Sequence, residues 1–298
     1  GYSMDSGLFA FFLPTTLALM MMGLGLELSV KDFMRVGRYP KAIFLALFTQ
    51  QIILVGIAFL ICKMLNLPPL LSVGLMLLAA SPGGPTANLF SYIYKGDVAL
   101  NITLTAINSV ICTFTLPFIV NLSIIYFLGD NQTIGMPIEK IAHVFLIIFV
   151  PVSIGMLLRY AVPALSYQLT RPMRLISIFF LFFIFLYALF REKSNIVLYF
   201  ADVGLATGIF CFTSLFLGYS IPNFAKIPER QARACTFEIG IHNTAISLTI
   251  ALSVLSNTTI AIPAGVYTIF MYVFVMFFGF ILTRKNNHLM TASNTPKI

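Results

Sequence analysis

The stretch Ser81-Pro82-Gly83-Gly84-Pro85-Thr86-Ala87-Asn88 interrupts an otherwise apolar run from Leu70 to Tyr94. Two prolines without N–H groups and two glycines with high backbone entropy rule out a straight helix through it. A second apolar run, Ala234–Val254, carries Phe237-Glu238-Ile239-Gly240-Ile241-His242-Asn243-Thr244, with an acid, a histidine, an asparagine and a glycine inside it. In hydrocarbon, backbone N–H and C=O groups freed from a helix find no partner, so irregular chain at membrane depth is tolerated only inside protein or beside a water-filled cavity. If both runs lie in a bilayer, their breaks mark a buried functional centre.

The rest of the chain puts them in a bilayer. Of its 298 residues 59% are hydrophobic and 9% charged, against about 45–50% and about 25% in soluble domains. Uncharged runs able to cross a ~30 Å hydrocarbon layer recur throughout. About nine spans are predicted: Gly7–Leu26, Pro40–Ile61, Leu70–Tyr94, Val98–Leu128, Ile141–Leu158, Leu175–Phe190, Ile196–Ile221, Ala234–Val254 and Ala261–Thr283. The fold class is thus all-α integral membrane, a single transmembrane domain over 1–298 with a polar, flexible tail over residues 286–298. The first span is expected to stay in the mature chain, since the segment before it carries Asp5 and no cation.

Of the 18 lysines and arginines, Lys63, Lys140, Arg191 and Lys193 fall on one side of this alternation, leaving fourteen on the other. Positive residues concentrate on the cytoplasmic side, so the C-terminus is expected in the cytoplasm and the N-terminus outside a cell inner (plasma) membrane. The +8 charge is then a basic belt facing anionic lipid, not a nucleic-acid surface. Cys62, Cys112, Cys211 and Cys235 have no metal or redox spacing and read as packing residues.

The two interrupted spans lie five spans apart, an odd number, so they run in opposite directions. That is the pattern of an inverted repeat, about 7–128 and 138–284 here, whose broken helices meet near the midplane and build the substrate and ion sites. Glu238 is the acid embedded in a break, a costly placement unless a cation or proton neutralises it. Asn101, Thr105 and Asn108 follow one another at helical spacing on one face of the fourth span. A carboxylate with amide and hydroxyl oxygens suits a hard alkali cation.

Pro82-Gly83-Gly84 leading to Asn88, then Gly96-Asp97-Val98-Ala99-Leu100, then Glu238-Ile239-Gly240-Ile241-His242-Asn243, resembles the bile acid:sodium symporter family over nearly the whole chain. The resemblance implies panel and core domains, two discontinuous crossing helices, and a nine-span variant of a ten-span plan. It implies no catalysis, no cofactor beyond coupling sodium, and sodium-coupled symport of a small organic anion by alternating access. Family sodium roles fall on Asn88, Asn101, Thr105 and Glu238 for one ion. For the other they fall on Gln50, Glu238, the carbonyls of Ile239 and Ile241, and His242. Similar sequences have a serine where this one has Ala87, a threonine at Pro85 and a glutamine at His242. The half-helix ends at Thr86–Asn88 and Asn243–Thr244 are expected to face an anionic substrate.

Because imidazole titrates near neutrality, a proton on His242 could stand in for the second sodium, which leaves a proton-coupled or mixed carrier as the alternative. A channel is a further alternative. An intramembrane enzyme is disfavoured, as His143, His242 and His288 form no H-E-x-x-H and no paired aspartates occur.

Overall fold

The computed structural model describes residues 2–84, 86–129, 138–191, 193–194 and 196–293. Its helices in order are α1 (Tyr2–Glu27), α2 (Val30–Met34), α3 (Pro40–Phe48), α4 (Leu54–Met64), α5 (Pro69–Ala80), α6 (Ala87–Ile93) and α7 (Val98–Leu128). Then follow α8 (Ile138–Ala161), α9 (Pro163–Arg191), α10 (Ile196–Phe224), α11 (Glu229–Gly240), α12 (Thr244–Thr249) and α13 (Thr258–Ser293). Wide π turns at Thr49–Ile53 and Ile250–Val254 join α3 to α4 and extend α12.

Four helical rods among the described residues are long and apolar enough to cross a membrane: Pro40–Met64, Val98–Leu128, Ile196–Phe224 and Thr258–Lys285, of 25, 31, 29 and 28 residues. Pro69–Ala80, Phe145–Ala161 and Thr244–Val254 are shorter apolar helices. The chain is therefore an all-α multi-pass membrane protein. Two helices outrun the apolar stretches that predicted them by ten residues or more. α9 starts at Pro163 instead of Leu175, and α13 continues through Ser293 instead of stopping at Thr283. Hydropathy ends where Gln168, Arg171 and Arg174 appear, but helicity does not, and Pro163 suits a first helical position. Pro85 lies outside the described residues, as do residues 130–137 and 294–298.

Both interrupted runs break where their residues dictate. Ser81 precedes a proline, which disfavours the α region, and it stands extended at φ −73°, ψ 150°. Its hydroxyl donates to the Leu78 carbonyl at 2.6 Å. At the other break α11 ends on Gly240, and Asn243 caps α12 by accepting the Ile246 N–H at 3.2 Å. Part of the freed backbone of each break is satisfied by the other. Gly84 N–H donates to the Ile241 carbonyl at 2.5 Å, and Asn243 N–H to the Pro82 carbonyl at 2.8 Å, so Gly83 and His242 face each other as an antiparallel bridge. Two strand-like bonds thus replace the helical ones lost, as a low-dielectric setting requires.

α1 lies against α8 at Gly25 and Gly155, where a methyl group on either would collide with the opposing backbone at Val152 or Met22. Small residues bring membrane helices together in this way. Arg233, which the sequence places in a cytoplasmic basic turn, is instead 2% exposed. Its guanidinium donates to the carbonyls of Tyr94 at 2.9 Å and Leu282 at 3.3 Å and pairs with Glu229 at 3.2 Å. The C-terminal carbonyl of α6 is the acceptor that draws it in.

Candidate cation site and substrate cavity

Glu238, in the last turn of α11, is 1% exposed. Its Oε2 accepts the Thr105 hydroxyl at 2.7 Å, while Oε1 is buried with no hydrogen-bond partner. Gly83 crosses directly over this carboxylate, so close that a Cβ there would collide with it. From α7, Asn101 donates its amide to the Ala234 carbonyl at 2.9 Å, which turns its own oxygen loose: Asn101 Oδ1 is buried and unpartnered. Asn88 Oδ1, in the first turn of α6, is in the same condition. α6, α7 and α11 pack against one another. An unpartnered buried polar atom costs about 1–3 kcal/mol, so several acceptors without donors form an arrangement that a cation relieves.

The second predicted set is less gathered. Gln50, 2% exposed in the π turn, donates to the Ser81 carbonyl at 3.2 Å and accepts from Asn108 Nδ2 at 2.6 Å. The Ile241 carbonyl is bonded to Gly84. The Ile239 carbonyl loses its partner four residues on, because Asn243 N–H turns to Pro82. His242 is 1% exposed, with its ring centroid 5.4 Å from those of both Phe210 and Tyr267. Neither of its ring nitrogens meets a partner at hydrogen-bond geometry, although the Ser81 carbonyl is near. The imidazole is thus packed on aromatic faces and forms no hydrogen bond with Glu238.

Two adjoining cavities lie beside these residues. One of about 950 Å³ is lined by Asn88, Ile102 and Thr105 on the core side, and by Leu24, Arg159, Arg171 and Arg174 among others opposite. The second, about 210 Å³, reaches Thr86 and Asn243. Leu24, Glu27, Thr170 and Arg174 line both. Of the predicted substrate residues, Thr86, Asn88 and Asn243 line these cavities. Thr244 does not, and its N–H donates back to the His242 carbonyl at 3.0 Å.

The arginines were missed as site residues because a cytoplasmic basic belt accounts for them equally well in sequence. In the structure Arg174 pairs with Glu27 across α9 and α1, and Arg159 donates to the Leu26 carbonyl at 3.2 Å. Asn108, Gln51 and Thr115 were also missed as a connected set. Gln51 Nε2 donates to Asn108 Oδ1 at 2.9 Å, and Thr115 donates to Gln51 Oε1 at 3.0 Å.

Comparison with known proteins agrees with this architecture. The model of the Sodium Bile acid symporter family matches residues 14–200. The P3 protein of Mus musculus is 32% identical over 213 residues, 70% of this chain but 44% of that protein, so the chain spans less than half of this relative's length. An Arabidopsis thaliana protein described as "Probable sodium/metabolite cotransporter BASS1, chloroplastic" is 26% identical over 254 residues, 85% of this chain and 62% of that protein. The human ileal sodium/bile acid cotransporter is 24% identical over 292 residues, 96% of this chain and 82% of its own. With two broken helices crossing over a buried carboxylate, and a family match over more than half of its length, this chain belongs to the sodium bile acid symporter family of membrane transporters.

Proposed function

We propose that this protein is a sodium-coupled symporter of a small organic anion, working by alternating access across a plasma membrane, with its N-terminus outside and its C-terminus in the cytoplasm. The observation that carries the reading is the set of buried, donor-free oxygens, Glu238 Oε1, Asn88 Oδ1 and Asn101 Oδ1, on three helices packed at the crossing of the two breaks. Such a set binds a cation and repels an anion. With Thr105 it forms the first sodium site. Gln50, Glu238 and the Ile239 and Ile241 carbonyls contribute to a second, with His242 beside them as a packing residue. The fold is read as nine transmembrane helices in an inverted repeat, with α1, α8 and α9 as a panel against a core of the rest.

The cavity supports the organic-anion part. Arg159 and Arg171 put positive charge on its wall, Arg174 is offset by Glu27, and Leu24, Leu28, Ile102 and Leu175 supply apolar surface. A molecule with an apolar body and an acidic group fits that lining. Asn88 lines the same cavity, and Thr86 and Asn243 line the smaller one beside it. The test is uptake into proteoliposomes carrying purified protein. Accumulation of an organic anion that requires an inward sodium gradient, saturates, and exchanges with internal substrate supports the symporter. Uptake driven equally by a potassium gradient, or conduction without saturation, refutes it.

A further inference from the structure

Asn108 lies on α7, three residues beyond Thr105 and on the same face, and is fully buried. Its amide is the middle of a chain of hydrogen bonds that spans three elements. Thr115 Oγ1 donates to Gln51 Oε1 at 3.0 Å, Gln51 Nε2 to Asn108 Oδ1 at 2.9 Å, Asn108 Nδ2 to Gln50 Oε1 at 2.6 Å, and Gln50 Nε2 to the Ser81 carbonyl at 3.2 Å. The π turn at Thr49–Ile53 places the consecutive Gln50 and Gln51 so that both reach Asn108. The Asn108 amide also adjoins the Glu238 carboxylate without meeting it at hydrogen-bond geometry.

The direction of this chain is not free. A backbone carbonyl only accepts, so Gln50 must give Ser81 its NH2 group and turn its oxygen to Asn108. Asn108 must then donate to Gln50 and accept from Gln51, and Gln51 must accept from Thr115, a hydroxyl able to donate. Reversing any one amide would set oxygen against oxygen or NH2 against NH2 in a buried place, with two unsatisfied groups at about 1–3 kcal/mol each. The Ser81 carbonyl at the first break thus fixes three amides, and the Thr115 hydroxyl supplies the donor that the far end needs.

Resting on the sodium-coupled reading above, we propose that Asn108 is a positioning residue that couples the two cation sites. α7 carries Thr105, which holds Glu238 in the first site. Through Asn108 it also holds the Gln50 oxygen in the only orientation that offers a lone pair to the second. A cation that draws Glu238 and Thr105 together fixes this face of α7, and with it Gln50, before the second ion arrives. Sodium therefore binds cooperatively, and the cooperativity passes through one amide.

The experiment is equilibrium binding of radiolabelled sodium to purified wild type, Asn108→Val and Asn108→Thr, with choline holding ionic strength constant. Valine and threonine have the same shape, but only threonine carries a hydroxyl, a group with one lone pair to take the Gln51 N–H and one proton to give Gln50. Wild type is expected to bind with a Hill coefficient of about two and N108V of about one, with a midpoint raised on the order of tenfold. N108T should recover part of the cooperativity over N108V, an outcome that a merely structural role for the residue does not give. If N108V does not fold, Thr115→Val, which removes the far donor and leaves Gln50 and Glu238 intact, must lower the Hill coefficient in the same direction. Wild type that binds sodium cooperatively while N108V, or T115V in its place, matches it in midpoint and Hill coefficient overturns the coupling role alone. Wild type that binds no sodium overturns the symporter reading and this inference with it.

Discussion

Gly83→Ala tests whether the crossing of the two breaks holds the cation site. A methyl carbon at position 83 would stand 2.7 Å from the farther carboxylate oxygen of Glu238 and closer still to the nearer one, whereas ordinary contact begins at 3.4 Å. The carboxylate must retreat by about 0.7 Å or more. That stretches its 2.7 Å bond to Thr105 beyond the usual hydrogen-bond range. Overpacking costs about 1–3 kcal/mol and the lost charge-assisted bond about 1.5–3 kcal/mol, a combined destabilisation of about 2.5–6 kcal/mol. The second term also leaves the cation site, so sodium affinity should fall by about 10- to 150-fold.

The assay is thermal unfolding of purified protein in sodium against choline. At sodium near 100 times its dissociation constant, wild type gains about 2.7 kcal/mol, and a hundredfold weaker variant gains about 0.4 kcal/mol. Adding Glu238→Asp withdraws the carboxylate by about one C–C bond, roughly 1.5 Å. The double variant should then recover folding over G83A alone, and its energies should be non-additive with the two single changes. A G83A protein with the full wild-type sodium shift would show that Gly83 does not press on the ion-binding carboxylate, and would refute the reasoning.

Glu238→Gln should leave the protein in the membrane but abolish sodium-driven uptake in proteoliposomes, and uptake near the wild-type rate removes Glu238 from the mechanism. Arg233→Leu takes the charged donor from the Tyr94 carbonyl at the end of α6 and should lower stability by about 1.5–3 kcal/mol, read as a drop in melting temperature, with Arg233→Lys recovering only part. Burial by itself would raise the Glu229 carboxyl, but the Tyr219 hydroxyl, Lys285 and Arg233 outweigh it and hold the group below the usual carboxylate range. A depressed folded value means that its stabilisation is complete above the unfolded carboxylate range and is lost as pH falls through the folded one. Glu229→Gln should therefore flatten the acid limb of the stability profile, and identical limbs refute this. A tag on the C-terminus should be inaccessible to an impermeant reagent on intact cells, and labelling there overturns the topology.

The breaks were legible in sequence because proline, glycine and polar residues in a membrane run leave few conformations open, and both stand where Pro82-Gly83-Gly84 and Gly240-Ile241-His242 put them. The Glu238–Thr105 contact was foreshadowed too, since a lone carboxylate at depth and a polar stripe on α7 have few other partners to find. Helix ends were not legible where polarity and helicity part company, as in α9 from Pro163 onward. Nor was Arg233, a residue one position outside its span, whose burial depends on a carbonyl contributed by α6 after folding. The arginines of the cavity were hidden by a competing cause, because cytoplasmic topology asks for the same residues in the same turns.

His242 marks a different limit. In sequence it stands four residues from Glu238, a spacing that brings side chains together on a continuous helix. The helix, however, ends at Gly240, and Ile241 stands extended at φ −100°, ψ 95°, so the residue after it leaves the helical face. Its backbone goes to the bridge with Gly83 and its ring to Phe210 and Tyr267. The acceptors left at the crossing are then oxygens that the break itself exposes, such as the Ile239 carbonyl, together with the Glu238 carboxylate beneath Gly83. The same irregular backbone that frees those acceptors ties the two broken helices to each other. Moving one break without the other would cost both bridging bonds, so the two half-helix pairs are held together as one body.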